Sequence, residues 1–245
     1  MVRSTAAVRR PALLRTRAFA LFATVWLVAA TLLALPRPAT AQDVDPPGRA
    51  ARLSEATGRV WLFANDANEW LEVGRNRPLA TGDRIATDDD TYAEVTLGTT
   101  VLRVAPATEL EIATLDDRAF AVHLHGGSLA ARLKTPEAAS AFTLSTDEGR
   151  FVVRTAGHYR FDRFERTSDV TVIAGQATFE NRANALAVNA GQHAQFWLDG
   201  RGAPQYALAE PARDAFAGWA VERDRADLRL ASSQASRYVS PEMVG

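Results

Sequence analysis

Residues 77–112, RPLATGDRIATDDDTYAEVTLGTTVLRVAPATELEI, read as four short β segments separated by turn chemistry. Gly82-Asp83 is a turn pair, because glycine supplies a positive φ and an aspartate carboxylate bonds its own backbone. Asp88-Asp89-Asp90 is a second polar break. The pattern then switches to period two: Ala93, Val95 and Leu97 point one way, Tyr92, Glu94 and Thr96 the other. Gly98-Thr99-Thr100 breaks the run and predicts a tight hairpin. Leu102 and Val104 alternate with Val101 and Arg103, and Pro106 interrupts because it cannot donate to a ladder. Leu110 and Ile112 then alternate with Glu109 and Glu111. A sheet with one buried and one solvated face produces this alternation.

The same texture extends both ways. Short period-two runs are predicted near 52–56, 58–63, 70–73, 119–125, 128–133, 142–145, 149–155, 157–164, 168–174, 176–181, 185–189 and 192–198. Gly, Asn, Asp or Thr-Pro breaks recur between them. No long helical pattern alternates with these strands, so an α/β fold is not expected. The expected fold is all-β, a short β-solenoid or a two-sheet sandwich of stacked hairpins. An internal echo pairs His125-Gly126-Gly127-Ser128-Leu129-Ala130-Ala131 with Ile173-Ala174-Gly175-Gln176-Ala177-Thr178-Phe179, and favours stacking. After Pro204 the pattern turns helical. Residues 211–230 form one amphipathic helix, with Phe216 and Trp219 expected to dock on the sheet and the ERDRADLR half (222–229) to project. The chain thus divides into 1–41, a 42–51 linker, a 52–199 β domain, and a 200–245 C-terminal helix and tail.

The N-terminus is a separate object. Arg9, Arg10, Arg15 and Arg17 precede an apolar run at 18–35, followed by Pro36-Arg37-Pro38 and Ala39-Thr40-Ala41. This predicts a secretory signal peptide cut after Ala41, with an uncleaved membrane anchor as the alternative. Either places the body outside the inner membrane, periplasmic or secreted. No cysteine follows the apolar run, which excludes a lipid-anchored lipoprotein. Residues 1–41 hold six of the 28 basic residues and none of the 29 acidic ones, so the remainder carries about −7. A net negative body argues against nucleic acid as the partner, because that affinity rests on counterion release. Without cysteine, stability comes from the sheet core alone.

The order of these motifs resembles the FecR domain. The positions that carry the likeness are Gly82, Asp83, Gly98, Pro106, Thr108, Leu110 and Ile112. The likeness continues through 127–133, the GHYRFD of 157–162 and the AGQHAQF of 190–196, covering roughly residues 53–198. The resemblance implies a stacked-hairpin β architecture in an exported, non-enzymatic protein that serves as an envelope protein-interaction or sensing module. Signalling members of that family carry a cytoplasmic anti-sigma segment before a membrane helix. Only 17 residues precede the apolar run here, so direct sigma-factor regulation is not expected. The partner is then an envelope protein or, alternatively, a cell-wall glycan, met by edge-strand or sheet-face docking.

His123-x-His125 with a distant His193 is the ligand pattern of a cupin-like metal enzyme. No glutamate follows in 126–133, however, and Phe120, Val122 and Leu124 take the apolar face, leaving both histidines on the wet one. No metal or cofactor is expected. Ser128, after Gly126-Gly127, reads as a hairpin turn; Glu109 and Glu111 read as a solvated face; Asp88–Asp90 lacks the spacing of a calcium loop. Two binding features remain. One is the arginine set around 150–166, with Arg154, Arg160 and Arg163 as candidates for an anionic glycan or acidic segment; Arg160 shares a face with His158 and Asp162, and Arg163 lies on the other. The second is Trp70, partly exposed at a hairpin edge, whereas most of Trp61, Trp70, Trp197 and Trp219 are expected in the core.

Overall fold

The computed structural model describes residues 49–238 apart from 66 and 183, with side chains to 233. The predicted signal peptide or anchor and most of the 42–51 linker lie outside the described residues. Among those described, no helix is long and apolar enough to cross a membrane.

Seventeen strands form the body. The first nine are β1 (Ala51–Ala56), β2 (Val60–Ala64), β3 (Glu69–Val73), β4 (Pro78–Leu79), β5 (Arg84–Thr87), β6 (Ala93–Leu97), β7 (Thr100–Val104), β8 (Glu109–Leu115) and β9 (Phe120–Leu133). A six-residue helix α1 (Pro136–Ala141) follows. Then come β10 (Phe142–Ser145), β11 (Arg150–Val153), β12 (Gly157–Phe164), β13 (Thr167–Ala174), β14 (Gln176–Glu180), β15 (Ala185–Asn189), β16 (His193–Leu198), β17 (Pro204–Ala209) and helix α2 (Ala215–Tyr238). They pair into two open sheets. The front sheet runs β4-β1-β6-β7-β9-β12-β13-β16-β17. The back sheet runs β3-β2-β5-β8-β9-β10-β11-β14-β15. All these pairings are antiparallel except β9–β10. The fold is the sandwich form of the all-β expectation, a stack of hairpins that visit the two sheets by turns. The sheets close neither into a barrel nor into a solenoid.

Alternation decides which residues meet between the sheets. Val95, Leu102, Leu129, Tyr159 and Phe161 face in from the front; Leu62, Ile85, Leu110, Val122, Leu144 and Phe151 face in from the back, all in one buried cluster. The centre is phenylalanine-rich: Phe151 lies 5.2 Å from Phe161 and 4.9 Å from Phe179, and Phe179 stacks on Phe196 at 3.9 Å. Burying each ring stabilises by about 2 kcal/mol. The tryptophans, expected mostly in the core, are not there. Trp61, Trp197 and Trp219 are half-buried and Trp70 is 37% exposed. On β2 the alternation sends Val60 and Leu62 inward, which leaves Trp61 outside, where its Nε1–H donates to Asp88 at 2.7 Å.

Four further differences from the sequence reading have local causes. Gly126-Gly127-Ser128 is not a hairpin turn. β9 continues through it for 14 residues, pairing with the back sheet before Gly127 and with the front sheet from it onward. Gly127 has φ +92°, and a Cβ there would stand 2.3 Å from Thr108 Oγ1 and 2.6 Å from Thr108 Cα. A bend with that close an approach needs glycine. The sequence echo therefore marks two crossings between sheets, since Gly175 (φ +99°) links β13 in front to β14 behind. The two-residue β4 and the β17 strand, which extends the front sheet past 199, were not anticipated; neither has a strong alternating pattern. Helix α1 is a further addition to the expected elements, and Thr135-Pro136 is its start signature. Thr135 Oγ1 accepts from Ala138 N at 3.2 Å. Helix α2 starts at Ala215, not 211, because Asp214 is its N-cap, accepting from Ala217 N at 2.9 Å.

Candidate docking face

The outer face of the front sheet carries a row of side chains at one register level. Cross-strand partners run Glu94–Arg103–Ala130–Arg160–Thr171–His193 over β6, β7, β9, β12, β13 and β16. Each alternates with a core residue on its own strand, so core formation forces the row outward. The small Ala130 between two arginines leaves a trough, and α2 lies along it. Phe216 is buried, Trp219 stacks on Tyr92 at 4.8 Å, and the Arg160 guanidinium sits 5.3 Å over the Phe216 ring.

Charge pairs align with these aromatic contacts. Arg160 donates to both oxygens of Asp214 at 2.8 and 2.7 Å, and to Asp162. Two strands along the row, Arg103, only 2% exposed, donates to Glu94 at 3.2 Å, Asp224 at 2.7 Å and Asp227 at 3.3 Å. Arg132 also donates to Asp224 at 2.7 Å, the His158 ring lies 3.3 Å from it, and Arg223 reaches back to Glu94 at 3.5 Å. Burial raises the Asp224 carboxyl, but His158, Arg103 and Arg132 together outweigh it and hold the group well below the usual carboxylate range. The Arg160 bonds likewise hold Asp214 low, against burial. The ERDRADLR half of the helix, expected to project, is thus anchored through Arg223, Asp224 and Asp227. Beyond them Leu228 and Leu230 are exposed.

The arginine set is not a cluster. Arg160 is committed to Asp162 and Asp214 on the outer face. Arg163 points to the opposite face of β12, as expected, and is held by Glu148 at 3.0 Å, Asp147 at 2.6 Å and the His125 carbonyl. Arg154 is exposed in the turn at the other end of β12. Trp70 lies on edge strand β3, edge-on to Phe63 at 5.3 Å with the Arg84 guanidinium 5.8 Å from its ring. A separate open cleft of about 730 Å³ lies among the turns 146–150, 180–182 and 198–204, lined by Asp147, Arg150, Glu180 and Arg182.

The three histidines do not converge. His123 and His125 lie on the outer face of the back sheet, bonded to Ser145 and Glu111 at 3.0 Å each, with the His123 ring held below its usual range first by burial and then by His125. His193 is buried on the front sheet, 2.8 Å from Thr171 Oγ1. Among the described residues no group of three or more His, Asp or Glu side chains is placed to hold a metal ion. Ser128 donates to Asp162 at 2.5 Å and no histidine bonds it. Glu109 and Glu111 share an outer face as expected, where Arg84 meets Glu109 and His125 meets Glu111.

The class defined here is a mostly antiparallel two-sheet sandwich with a C-terminal helix held across one outer face. No family model matches the sequence, and no curated protein matches it. Two crystal structures of a putative anti-sigma factor from Parabacteroides distasonis ATCC 8503, at 2.50 and 1.65 Å, superpose at a TM-score of 0.44, with 14% and 13% identity. Each match covers 52% of this chain and 60% of the other, so the likeness is partial.

Proposed function

We propose that this chain is an exported, non-enzymatic, FecR-like module of the cell envelope that acts by binding a protein. One observation carries the reading: the outer face of the front sheet grips a helix with two buried or nearly buried arginines, Arg103 and Arg160, set to receive carboxylates spaced along it. Paired guanidinium–carboxylate contacts with an aromatic anchor are the chemistry of protein recognition. The arginines at the centre of this face are spent on fixed partners, which suits a scaffold better than a reacting group.

The test is site-specific photo-cross-linking in the envelope, with the probe at Ile173 beside α2, at Trp70 or at Arg154, all solvent-exposed. The expected result is one discrete protein adduct from one of these faces, competed by excess unlabelled body. No competed adduct from any face overturns the reading. The open cleft with Arg150 and Arg182 on its wall supports a second reading as a glycan binder: retention on peptidoglycan lost in Arg150→Ala with Arg182→Ala selects it, and unchanged retention removes it.

A further inference from the structure

Helix α2 fills its trough incompletely. A cavity of about 110 Å³ remains between helix and sheet, with Ala130 on the sheet side and Phe216, Ala217, Ala220 and Asp224 on the helix side. At its rim Ile173 and Val221 are 57% and 48% exposed. Protein interiors are close-packed, so a void beside alanines marks a place where a larger side chain fits. The helix is also weaker than its packing requires. Gly218 lies near its start, where a Cβ would meet nothing within 4 Å, so no close approach demands glycine there. The charges, by contrast, depend on the helix. Without it Arg132 loses Asp224, Arg103 keeps only Glu94 of its carboxylates, and Arg160 keeps only Asp162. The trough requires carboxylates and has room for more bulk than α2 brings.

We propose that α2 is the resident occupant of a helix-receiving site, and that the partner is a helix of another protein with the same carboxylate pattern and a larger aliphatic side chain at the position of Ala220. The existing contacts select that chemistry. Carboxylates at the positions of Asp214, Asp224 and Asp227 meet Arg160, Arg132 and Arg103. An aromatic ring at the position of Phe216 lies against the Arg160 guanidinium. Positions 217, 220, 224 and 227 share one helix face, so a single helix presents the carboxylates and the apolar filler together. The short 210–214 segment tethers α2 at an effective concentration on the order of millimolar. An incoming helix displaces it only by binding better, and filling the cavity supplies that advantage. Helix α2 then acts as a regulator: it keeps the arginines paired until such a partner arrives. This names a partner class for the protein-binding reading above and rests on it.

The test uses purified full chain and a synthetic peptide of residues 211–232 carrying Trp219→Phe. The chain's own Trp219, stacked on Tyr92, then reports release of α2. A peptide that matches α2 should displace it only near ~1 mM. Adding Ala220→Leu to the peptide should lower that midpoint at least tenfold. Adding Ala231→Leu instead, at an exposed position, should leave it unchanged. Asp224→Asn in the Ala220→Leu peptide should raise its midpoint at least tenfold. Gly218→Ala in the chain, which strengthens the resident helix, should raise it about fivefold. No Trp219 response to roughly 1 mM Ala220→Leu peptide, equal potency of the two leucine peptides, or indifference to Asp224→Asn each overturns the proposal. A competed cross-link at Trp70 or Arg154 beside a trough that ignores the peptide removes this site and keeps the protein-binding reading. Displacement by the peptide with no cross-linked protein supports the site and removes the envelope partner.

Discussion

Arg103 is the most deeply buried charge among the described residues, and its neighbours explain how it is tolerated. Each of its three nitrogens donates to a carboxylate, on Glu94, Asp224 and Asp227, so the desolvated guanidinium is paired on every side. Arg103→Ala leaves Glu94 with only the longer Arg223 contact at 3.5 Å and Asp224 with Arg132 and His158. It should lower stability by about 3 kcal/mol in urea titrations, the range for breaking one side of a buried pair; a loss under about 1 kcal/mol would mean that water reaches the trough. Gly127 poses the same question for the backbone. With φ +92° and Thr108 backbone within 2.6 Å of a would-be Cβ, Gly127→Ala should destabilise by about 3 kcal/mol. Gly126→Ala, with nothing within 4 Å, should cost less than about 1 kcal/mol. Equal effects at the two glycines would show that β9 does not bend where described.

Helix α2 has 24 residues and meets the sheet through side chains from Phe216 to Asp227, so its docking is a local equilibrium separable from the sandwich. Asp214 and Asp224 both titrate below the ordinary range in the docked state. A depressed carboxyl stabilises above its unfolded pKa and loses that contribution as pH falls toward its folded value. The helix should therefore release as pH drops below about 4, before the sheets unfold. Trp219 emission, isolated by difference against Trp219→Phe, reports the release through its stacking on Tyr92. If that signal moves only together with the far-ultraviolet strand signal, the helix is an integral part of the fold and not a separable layer. Much of α2 was readable in its sequence. Phe216 and Trp219 were expected to dock and do. Arg223, Asp224 and Asp227 looked solvated because charge on a helix face usually is, and nothing local reveals that arginines wait opposite.

For the molecule as a whole, β9 is decisive. It is one strand in both sheets, and the inner faces form one cluster, so neither half has a core of its own. Unfolding should be a single transition, with far-ultraviolet dichroism and tryptophan emission superimposing above pH 5. Two resolved transitions, each with large strand loss, would indicate two independently stable halves.

Which residues of the 93–112 strands face in, that the chain turns at Gly82 and Gly98, and that the body is β were legible in the chain, because alternation and turn chemistry act over two to four neighbouring residues. The sharing of β9 between sheets, the outward placing of the tryptophans and the burial of Arg103 and Arg160 came only with folding. Arg103 meets Asp224 from 121 positions away, and Arg160 meets Asp214 from 54. Contacts at that separation depend on which strands pair and where a helix comes to rest, and no local period encodes either.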